Sequence, residues 1–297
     1  MSNSLSKLLH YLTFLKKHRK KLYNESNKYW ALRNALDEHS IETYFQPILC
    51  LRTGQTLGFE ILNRPVNINA FTNTEEFYDF VGKSGEVFSI ETFIRRLSFK
   101  RIADQANAEP FYNQKMIFIN VHPQVLADPS YRTGETLEIL TNYNFKPEQI
   151  VLELTEKEAV TDYAQFVKVI QHYKQQGFRI ALDDAGTGYN SLKTILYVKP
   201  DFIKLDKSLI RGIHSQITQQ HLVRLLLDYA HNSGTKVIAE GIETNDELIY
   251  LQKAGVHIGQ GYHLGKPLPT LLNGSLPQYG LQNVSLLKTK LKTVNRR

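Results

Sequence analysis

From residue 44 onward, short apolar segments alternate with longer segments in which apolar residues recur every three or four positions. The short segments predict strands and the longer ones predict amphipathic helices. This alternation is typical of α/β proteins, and eight strands favour a closed (β/α)8 barrel over an open sheet. The predicted strands cover residues 44–49, 58–62, 116–121, 150–154, 178–182, 202–205, 236–239 and 256–258, and the predicted helices cover 75–82, 89–107, 123–127, 133–142, 161–176, 191–197, 216–233 and 245–254.

The first two predicted strands differ from the others, because they lie in the segments 44–51 and 56–62, which only residues 52–55 (Arg-Thr-Gly-Gln) separate. A connection this short joins antiparallel strands, whereas parallel strands need a longer crossover. We therefore expect an α/β fold of the TIM-like (β/α)8 barrel type, with an antiparallel first strand and additional N-terminal helices.

Leucines at helical spacing mark the N-terminal segment, and an uninterrupted basic run follows them at residues 16–21. A polar patch at residues 24–27 predicts the end of this first helix, and a second helix is expected at about 28–38. Residues 1–34 either pack against the body or a partner subunit, or attach the chain to a membrane surface. The sequence does not decide between these alternatives.

The expected location of the protein is the cytoplasm, with membrane attachment through the N-terminal helix as the alternative. The basic run follows the leucines, which is the reverse of the signal-peptide order, and no segment approaches the ~20 apolar residues of a membrane span. Cys50 is the only cysteine, so an intramolecular disulfide is excluded. We divide the chain into a basic, amphipathic helical extension (1–40), the barrel domain (41–272) and a basic C-terminal tail (273–297).

The net charge of +7 is unevenly distributed. Residues 1–34 carry 8 Lys/Arg and 1 Asp/Glu (+7), residues 251–297 carry 7 Lys/Arg and no Asp/Glu (+7), and residues 35–250 carry 21 Lys/Arg and 28 Asp/Glu (−7). An acidic body is not typical of a protein that binds a specific nucleic-acid polymer, so nucleic-acid binding through the basic ends is a minor alternative. Surplus carboxylates in the body suit divalent cations.

Polar residues follow or end most of the predicted strands. The carboxyl ends of barrel strands meet at one face, where the active sites of such barrels lie. A ring of carboxylate and amide oxygens at that face is the ligand set that Mg²⁺ and Mn²⁺ prefer, and adjacent aspartates could bridge two ions. A lysine there would supply a positive charge for water or phosphate. The residues are Glu60, Asn120, Glu153, Asp183, Asp184, Lys204, Asp206 and Glu240, with Glu156, Glu243 and Gln260 close behind.

Other chemistries have weaker support. The ten histidines include no H-x-x-x-H pair of the zinc type. The segment Gly186-Thr187-Gly188 lacks the third glycine of a dinucleotide-binding loop, and neither P-loop spacing nor a G-x-S-x-G elbow occurs. The carboxylate-rich strand ends are therefore the main candidate site.

These strand ends belong to an ordered series of motifs that resembles the EAL domain family, bacterial phosphodiesterases that hydrolyse cyclic di-GMP. The resemblance extends from about Tyr44 to Pro269. The motifs are YFQPI (44–48), FEILNR (59–64), FINVHP (118–123), ELTE (153–156), DDAGTGYNSL (183–192), KLD (204–206), AEGIE (239–243) and GQGY (259–262).

The resemblance implies hydrolysis of cyclic di-GMP to linear 5′-pGpG, with two Mg²⁺ or Mn²⁺ ions that activate the attacking water. Ca²⁺ is expected to bind without supporting turnover. The implied catalytic residues are Glu60, Lys204 and Glu240, where Lys204 orients the water or stabilises phosphoryl charge and Glu240 is the candidate base. The implied metal ligands are Glu60, Asn120, Glu153, Asp183, Asp184 and Glu240.

The resemblance also implies a substrate groove, in which Arg64 pairs with a phosphate. Glu156 is expected to support the loop that follows Asp184. In the family this loop lies near a dimer interface, so a homodimer is expected. The implied substrate-binding residues are Gln46, Leu62, Arg64, Asp206, Glu243 and Gln260.

The chain departs from the family pattern at a few positions. Ile61 replaces the signature alanine, Asn63 and Pro65 flank Arg64, and Ala185 replaces the usual phenylalanine beside the paired aspartates. Loss of that aromatic anchor predicts a more mobile loop and activity that is low or depends on dimerisation. The alternative function is therefore a catalytically weak or inactive EAL module that acts as a cyclic di-GMP receptor or a protein-interaction domain.

Overall fold

The computed structural model describes residues 2–66, 69–108, 112, 114–122, 125, 132, 134–155, 163–186 and 191–277. Eight strands close into a barrel in chain order. The first strand is antiparallel to both of its neighbours and the remaining neighbours are parallel, which confirms the predicted TIM-like barrel with an antiparallel first strand. The strands are β1 (Ile41–Cys50), β2 (Thr56–Pro65), β3 (Met116–Val121), β4 (Ile150–Thr155), β5 (Arg179–Ala185), β6 (Phe202–Leu205), β7 (Lys236–Ala239) and β8 (Ile258–Gly259).

Helices follow the parallel strands and cover the barrel. Of the predicted helices, 123–127 lies almost wholly outside the described residues, as does most of the predicted tail, from residue 278 onward. The helices are α1 (Ser2–Asn34), α2 (Thr74–Lys83), α3 (Val87–Ala108), α4 (Glu135–Asn142), α5 (Tyr163–Gln175), α6 (Ser191–Val198), α7 (Lys207–Ile210), α8 (Ile217–Ser233) and α9 (Asn245–Ala254).

The N-terminal segment is one continuous helix, α1, so the predicted break at residues 24–27 is wrong. Asparagine and serine inside a helix cost only a few tenths of a kcal/mol each, which is too little to end it. Lys21 and Glu25 form an i,i+4 ion pair across the patch, and Leu32 anchors the following turn in the core. The packing of the turn around Leu32 therefore stabilises α1 by more than the polar residues 24–27 destabilise it.

The lower interior of the barrel is filled by one layer of apolar side chains. Phe118 and Phe202 are its largest members, with ring centroids 5.4 Å apart and planes inclined by 65°. This edge-to-face contact is a favourable arrangement of aromatic rings. The layer closes the barrel from below, so that only its upper end is open to the site described next. Its members are Ile48, Phe118, Val151, Ala181, Phe202, Ile238 and Ile258.

Strand β5 contains a bulge near its end. Leu182 pairs with Ile203 and Ala185 pairs with Leu205, so Asp183 and Asp184 together oppose a single residue of β6. Asp184 has a φ of +55°, which aspartate tolerates better than most residues. The predicted strand ended at residue 182, before both aspartates, whereas β5 continues through Asp183 and Asp184 to Ala185. A bulge redirects side chains that would otherwise point to opposite faces.

We predict that Phe118→Ala lowers the free energy of unfolding by about 3–5 kcal/mol, because it empties the centre of the apolar layer. Urea unfolding monitored by circular dichroism measures this loss. Phe14→Ala is the matched control, since the Phe14 side chain lies on α1 and is 52% exposed. A Phe118→Ala loss no larger than that of the control would contradict the account of the interior.

Candidate metal centre and active site

A second interior layer, entirely polar, lies directly above the apolar one. Inward-facing side chains of a strand are two residues apart, so each residue two positions nearer the open end joins this layer. On β1, which runs in the opposite direction, the corresponding residue is Gln46, two positions before Ile48. The structure thus places Gln46, which the resemblance assigned to the substrate groove, beside residues that the sequence placed at separate strand ends. These are Glu60, Asn120, Glu153, Asp183, Lys204, Glu240 and Gln260.

Lys204 is the centre of this polar layer, with its side chain 1% exposed. Burial alone would lower the pKa of Lys204, but the surrounding carboxylates outweigh it and raise the pKa well above its ordinary value. The ammonium group therefore stays charged, and it contacts four carboxylates that lie on or directly after β2, β4, β5 and β7. Its Nζ lies 2.6 Å from Glu153, 2.7 Å from Glu240, 3.2 Å from Asp183 and 3.6 Å from Glu60.

One ammonium cannot neutralise four carboxylates. Burial and the neighbouring carboxylates raise the pKa of Glu153 well above its ordinary value. Burial likewise raises the pKa of Glu240 to about 8, although its side chain is 18% exposed. Both carboxylate oxygens of Glu153 are buried and accept no hydrogen bond, so its contact with Lys204 is an ion pair without hydrogen-bond geometry. The layer therefore has excess negative charge and carboxylate oxygens with free lone pairs, both of which favour the binding of added cations.

Three carboxylates at the open side of the layer could hold a metal ion. Asp183, Asp184 and Glu240 each offer an oxygen, and these oxygens lie within 4.8 Å of one another. The bulge in β5 allows both aspartates to take part. Asn120, on β3, lies at the same opening and adds an amide oxygen. An oxygen-only donor set beside Glu153, a buried carboxylate that accepts no hydrogen bond, fits Mg²⁺ or Mn²⁺.

Glu60 is held in place from behind by two glutamines. Gln260 donates from Nε2 to Glu60 Oε2 at 2.5 Å and to Gln46 Oε1 at 3.0 Å. Gln46 in turn donates to the carbonyl of Gly265 at 3.2 Å. Gln46 and Gln260 are 7% and 4% exposed, so the groups predicted to bind substrate are also the ones that orient Glu60. Their contact with substrate stays a prediction.

A cleft of about 740 Å³ opens beside the polar layer. Leu62 and Arg64 line it on β2, and it reaches Asn120, Asp183 and Asp184. This volume lies within the ordinary range of small-molecule sites.

Sequence reasoning missed the wall of the cleft that α2 and α3 supply. This wall includes Tyr78, Glu91 and Arg95. Burial raises the pKa of Tyr78 and also that of Glu91, which pairs with Arg95 at 3.2 Å. The only signal in the sequence is the i,i+4 spacing of Glu91 and Arg95, which is common on helices.

The remaining predicted residues lie around the rim. Asp206 caps α7 by accepting a hydrogen bond from the Ser208 amide at 2.8 Å, and its side chain also interacts with Asp184. Glu243 pairs with Arg211 and is 43% exposed. Glu156, expected to support the loop after Asp184, lies outside the described residues.

Comparison with known proteins gives a consistent result. The model of the EAL domain family matches residues 30–267. The Escherichia coli (strain K12) protein named "Probable cyclic di-GMP phosphodiesterase PdeB" is 32% identical over 240 residues, which cover 80% of this chain and 45% of PdeB. The chain thus spans less than half the length of that curated relative.

Two solved structures share the fold. A standalone EAL protein from Vibrio cholerae O395, in its cyclic di-GMP-bound form, has a TM-score of 0.68 and 28% identity, covering 79% of this chain and 95% of that one. The manganese and cyclic di-GMP complex of Klebsiella pneumoniae BlrP1 at pH 6 has a TM-score of 0.67 and 26% identity, covering 80% of this chain and 57% of that one. Both are similar over the barrel that carries the polar layer.

We predict that Lys204→Met makes stability depend steeply on pH. Without the ammonium, the buried carboxylates have pKa values above those of the unfolded chain. The folded state then binds more protons near neutral pH, so stability falls as pH rises. At about pH 8 and without divalent cations, we expect a loss of about 3–5 kcal/mol, partly recovered at about pH 5.5.

Urea unfolding at the two pH values measures this difference. Lys253→Met, at an exposed position of α9, is the matched control and should follow the wild type. An equal loss of stability for Lys204→Met at both pH values would show that Lys204 is not the counter-ion of the layer.

Proposed function

Because the chain belongs to the EAL domain family, we propose that it is a divalent-cation-dependent phosphodiesterase that hydrolyses cyclic di-GMP to linear 5′-pGpG. The observation that carries this proposal is the polar layer, in which four carboxylates surround Lys204 at the foot of an open cleft. In the reaction a water oxygen bonds to phosphorus and the bond from phosphorus to the 3′ oxygen breaks. One ring linkage opens, and the product keeps a 5′ phosphate.

The donor set supports two cations, Mg²⁺ or Mn²⁺. Glu60, Asn120, Glu153 and Asp183 would hold one, and Asp183, Asp184 and Glu240 would hold the other. When bound, such cations acidify water and neutralise charge on phosphoryl oxygens. The manganese complex of BlrP1 supports this choice of metal.

The chain's own residues supply positioning and charge. Lys204, held within 3.2 Å of both Asp183 and Glu240, places a fixed positive charge beside these carboxylates, which orients the water or stabilises charge on a phosphoryl oxygen. Glu240 has an 18% exposed side chain, and its carboxylate is the candidate acceptor for the proton of the water. Arg64, on the cleft wall, pairs with a phosphate of the dinucleotide. The rim residues Asp206 and Glu243 line the approach.

We also propose that two chains pair through the surface next to the site. Leu196 and Tyr197 on α6 are 62% and 59% exposed, although both are large and apolar in character. Helix α6 follows the segment after Asp184 that the family resemblance places near a dimer interface. A dimer through α6 would therefore couple assembly to the position of the paired aspartates.

Purified protein incubated with cyclic di-GMP should yield 5′-pGpG with Mg²⁺ or Mn²⁺, and no product with Ca²⁺ or with a chelator. Chromatography of the nucleotides measures this. Asp183→Asn should lose at least about 100-fold in turnover, because it weakens a ligand and a contact of Lys204. The matched control Asp228→Asn, at an exposed position on α8, should retain wild-type turnover.

The same samples separate the two candidate functions. Tight binding of cyclic di-GMP without product, with either metal and at high protein concentration, would overturn the phosphodiesterase and favour a receptor. Ala185 is the position to examine in that case, because it is fully buried where the family resemblance implies a phenylalanine.

A further inference from the structure

We propose that α1 is a membrane-surface helix, which lies in the plane of an anionic lipid surface through an apolar stripe and a basic face. The inference concerns a part of the chain away from the polar layer and does not depend on the phosphodiesterase activity.

The apolar stripe consists of Leu8, Leu12, Leu15 and Leu22, flanked by Leu9, Tyr11, Tyr23 and Trp30. The four leucines are spaced by four, three and seven residues, so they follow one side of the helix. Leu8 and Leu12 are each 52% exposed and Trp30 is 66% exposed. The side chains described from residue 6 to 27 are exposed, apart from partly buried Leu15 and His18. Exposed apolar side chains that recur along one side of a helix mark an interaction site.

The stripe points away from the barrel. Only the last turns of α1 dock, through residues 28, 31, 32 and 35, which share one side of the chain. Leu32 is 2% exposed, and Lys28 and Arg33 form ion pairs with Glu76 on α2 and with Glu86. Trp30 lies two residues before Leu32, and therefore on roughly the opposite side, which continues the line of Tyr23. The barrel holds α1 with its apolar side outward.

Charge selects the partner. Residues 1–34 carry 8 Lys/Arg and 1 Asp/Glu, whereas residues 35–250 have a net charge of −7. Lys17, Lys20 and Lys21 lie on roughly the opposite side from the leucines, whereas Lys16 lies at the edge of the stripe and Arg19 lies within it. A helix with leucines along one side and most of its lysines on the other is typical of binding in the plane of an anionic membrane.

A second copy of α1 fits less well. Parallel pairing of the stripe would set the basic run 16–21 beside itself, and antiparallel pairing about the middle of the helix would do the same. Either arrangement places Arg19 in the seam, where like charges are costly. Among the described residues, no helix is long and apolar enough to cross a membrane. A surface orientation therefore accounts for both the stripe and the charge.

The test is flotation of the full chain with vesicles of phosphatidylcholine alone, or with about a third phosphatidylglycerol. We expect binding only to the anionic vesicles, and weaker binding at high salt. Combined Lys17→Gln, Lys20→Gln and Lys21→Gln should weaken binding on the order of 100-fold. The charge-matched control combines Lys146→Gln, Lys168→Gln and Lys253→Gln, all exposed on the barrel, and should bind like the wild type.

A second pair of variants tests the stripe. Leu8→Asn with Leu12→Asn should abolish binding, whereas Ile217→Asn with Leu225→Asn, each at a residue 67% exposed on α8, should not. Thermal unfolding checks that all variants are folded. Equal binding by both lysine triples, no binding to anionic vesicles, or a stripe variant that only converts a dimer to a monomer in light scattering would overturn the proposal.

Discussion

The ion pairs of Lys204 are the interaction on which the upper half of the barrel depends. A buried ammonium alone, or four buried carboxylates alone, would be strongly destabilising. Together they are tolerable but unbalanced, because one positive charge faces four acidic groups. The imbalance explains why the pKa of Lys204 is raised, and why the pKa values of Glu153 and Glu240 are raised as well. The unbalanced charge therefore destabilises the folded state at the place where cations and a phosphodiester would be bound.

The two layers of the barrel interior leave the unbalanced carboxylates accessible from one side only. Apolar side chains around Phe118 and Phe202 fill the barrel below, so the carboxylates cannot be reached by water from that end. Gln260 and Gln46 fix Glu60 from the side opposite the cleft. Only the upper face is open, which directs any added cation or anion to the ends of the strands. Rigid strands thus carry the charged groups, and the helices α2 and α3 shape the wall of the cleft.

The sequence predicted the barrel and most of the polar layer for one physical reason. Apolar segments of strand length ended in polar residues, and barrel topology brings such ends together. It predicted Asp183 and Asp184 together at the site but not how both side chains reach it, because alternation along a regular strand would place successive side chains on opposite faces. The bulge that redirects them is a property of the pairing with β6. The position of Tyr78 and Glu91 in the cleft wall and the continuity of α1 likewise depend on tertiary contacts. The periodicity of the sequence carries no information about these contacts.

We propose that the carboxylates around Lys204 form a site for two divalent cations, which anomalous diffraction from crystals of the protein soaked with Mn²⁺ would locate. We expect two peaks about 3.5–4 Å apart, both in contact with Asp183. Their further ligands should come from Glu60, Asn120 and Glu153 on one side and from Asp184 on the other. Manganese peaks only elsewhere on the surface, with Lys204 still contacting Glu153 and Glu240, would contradict it.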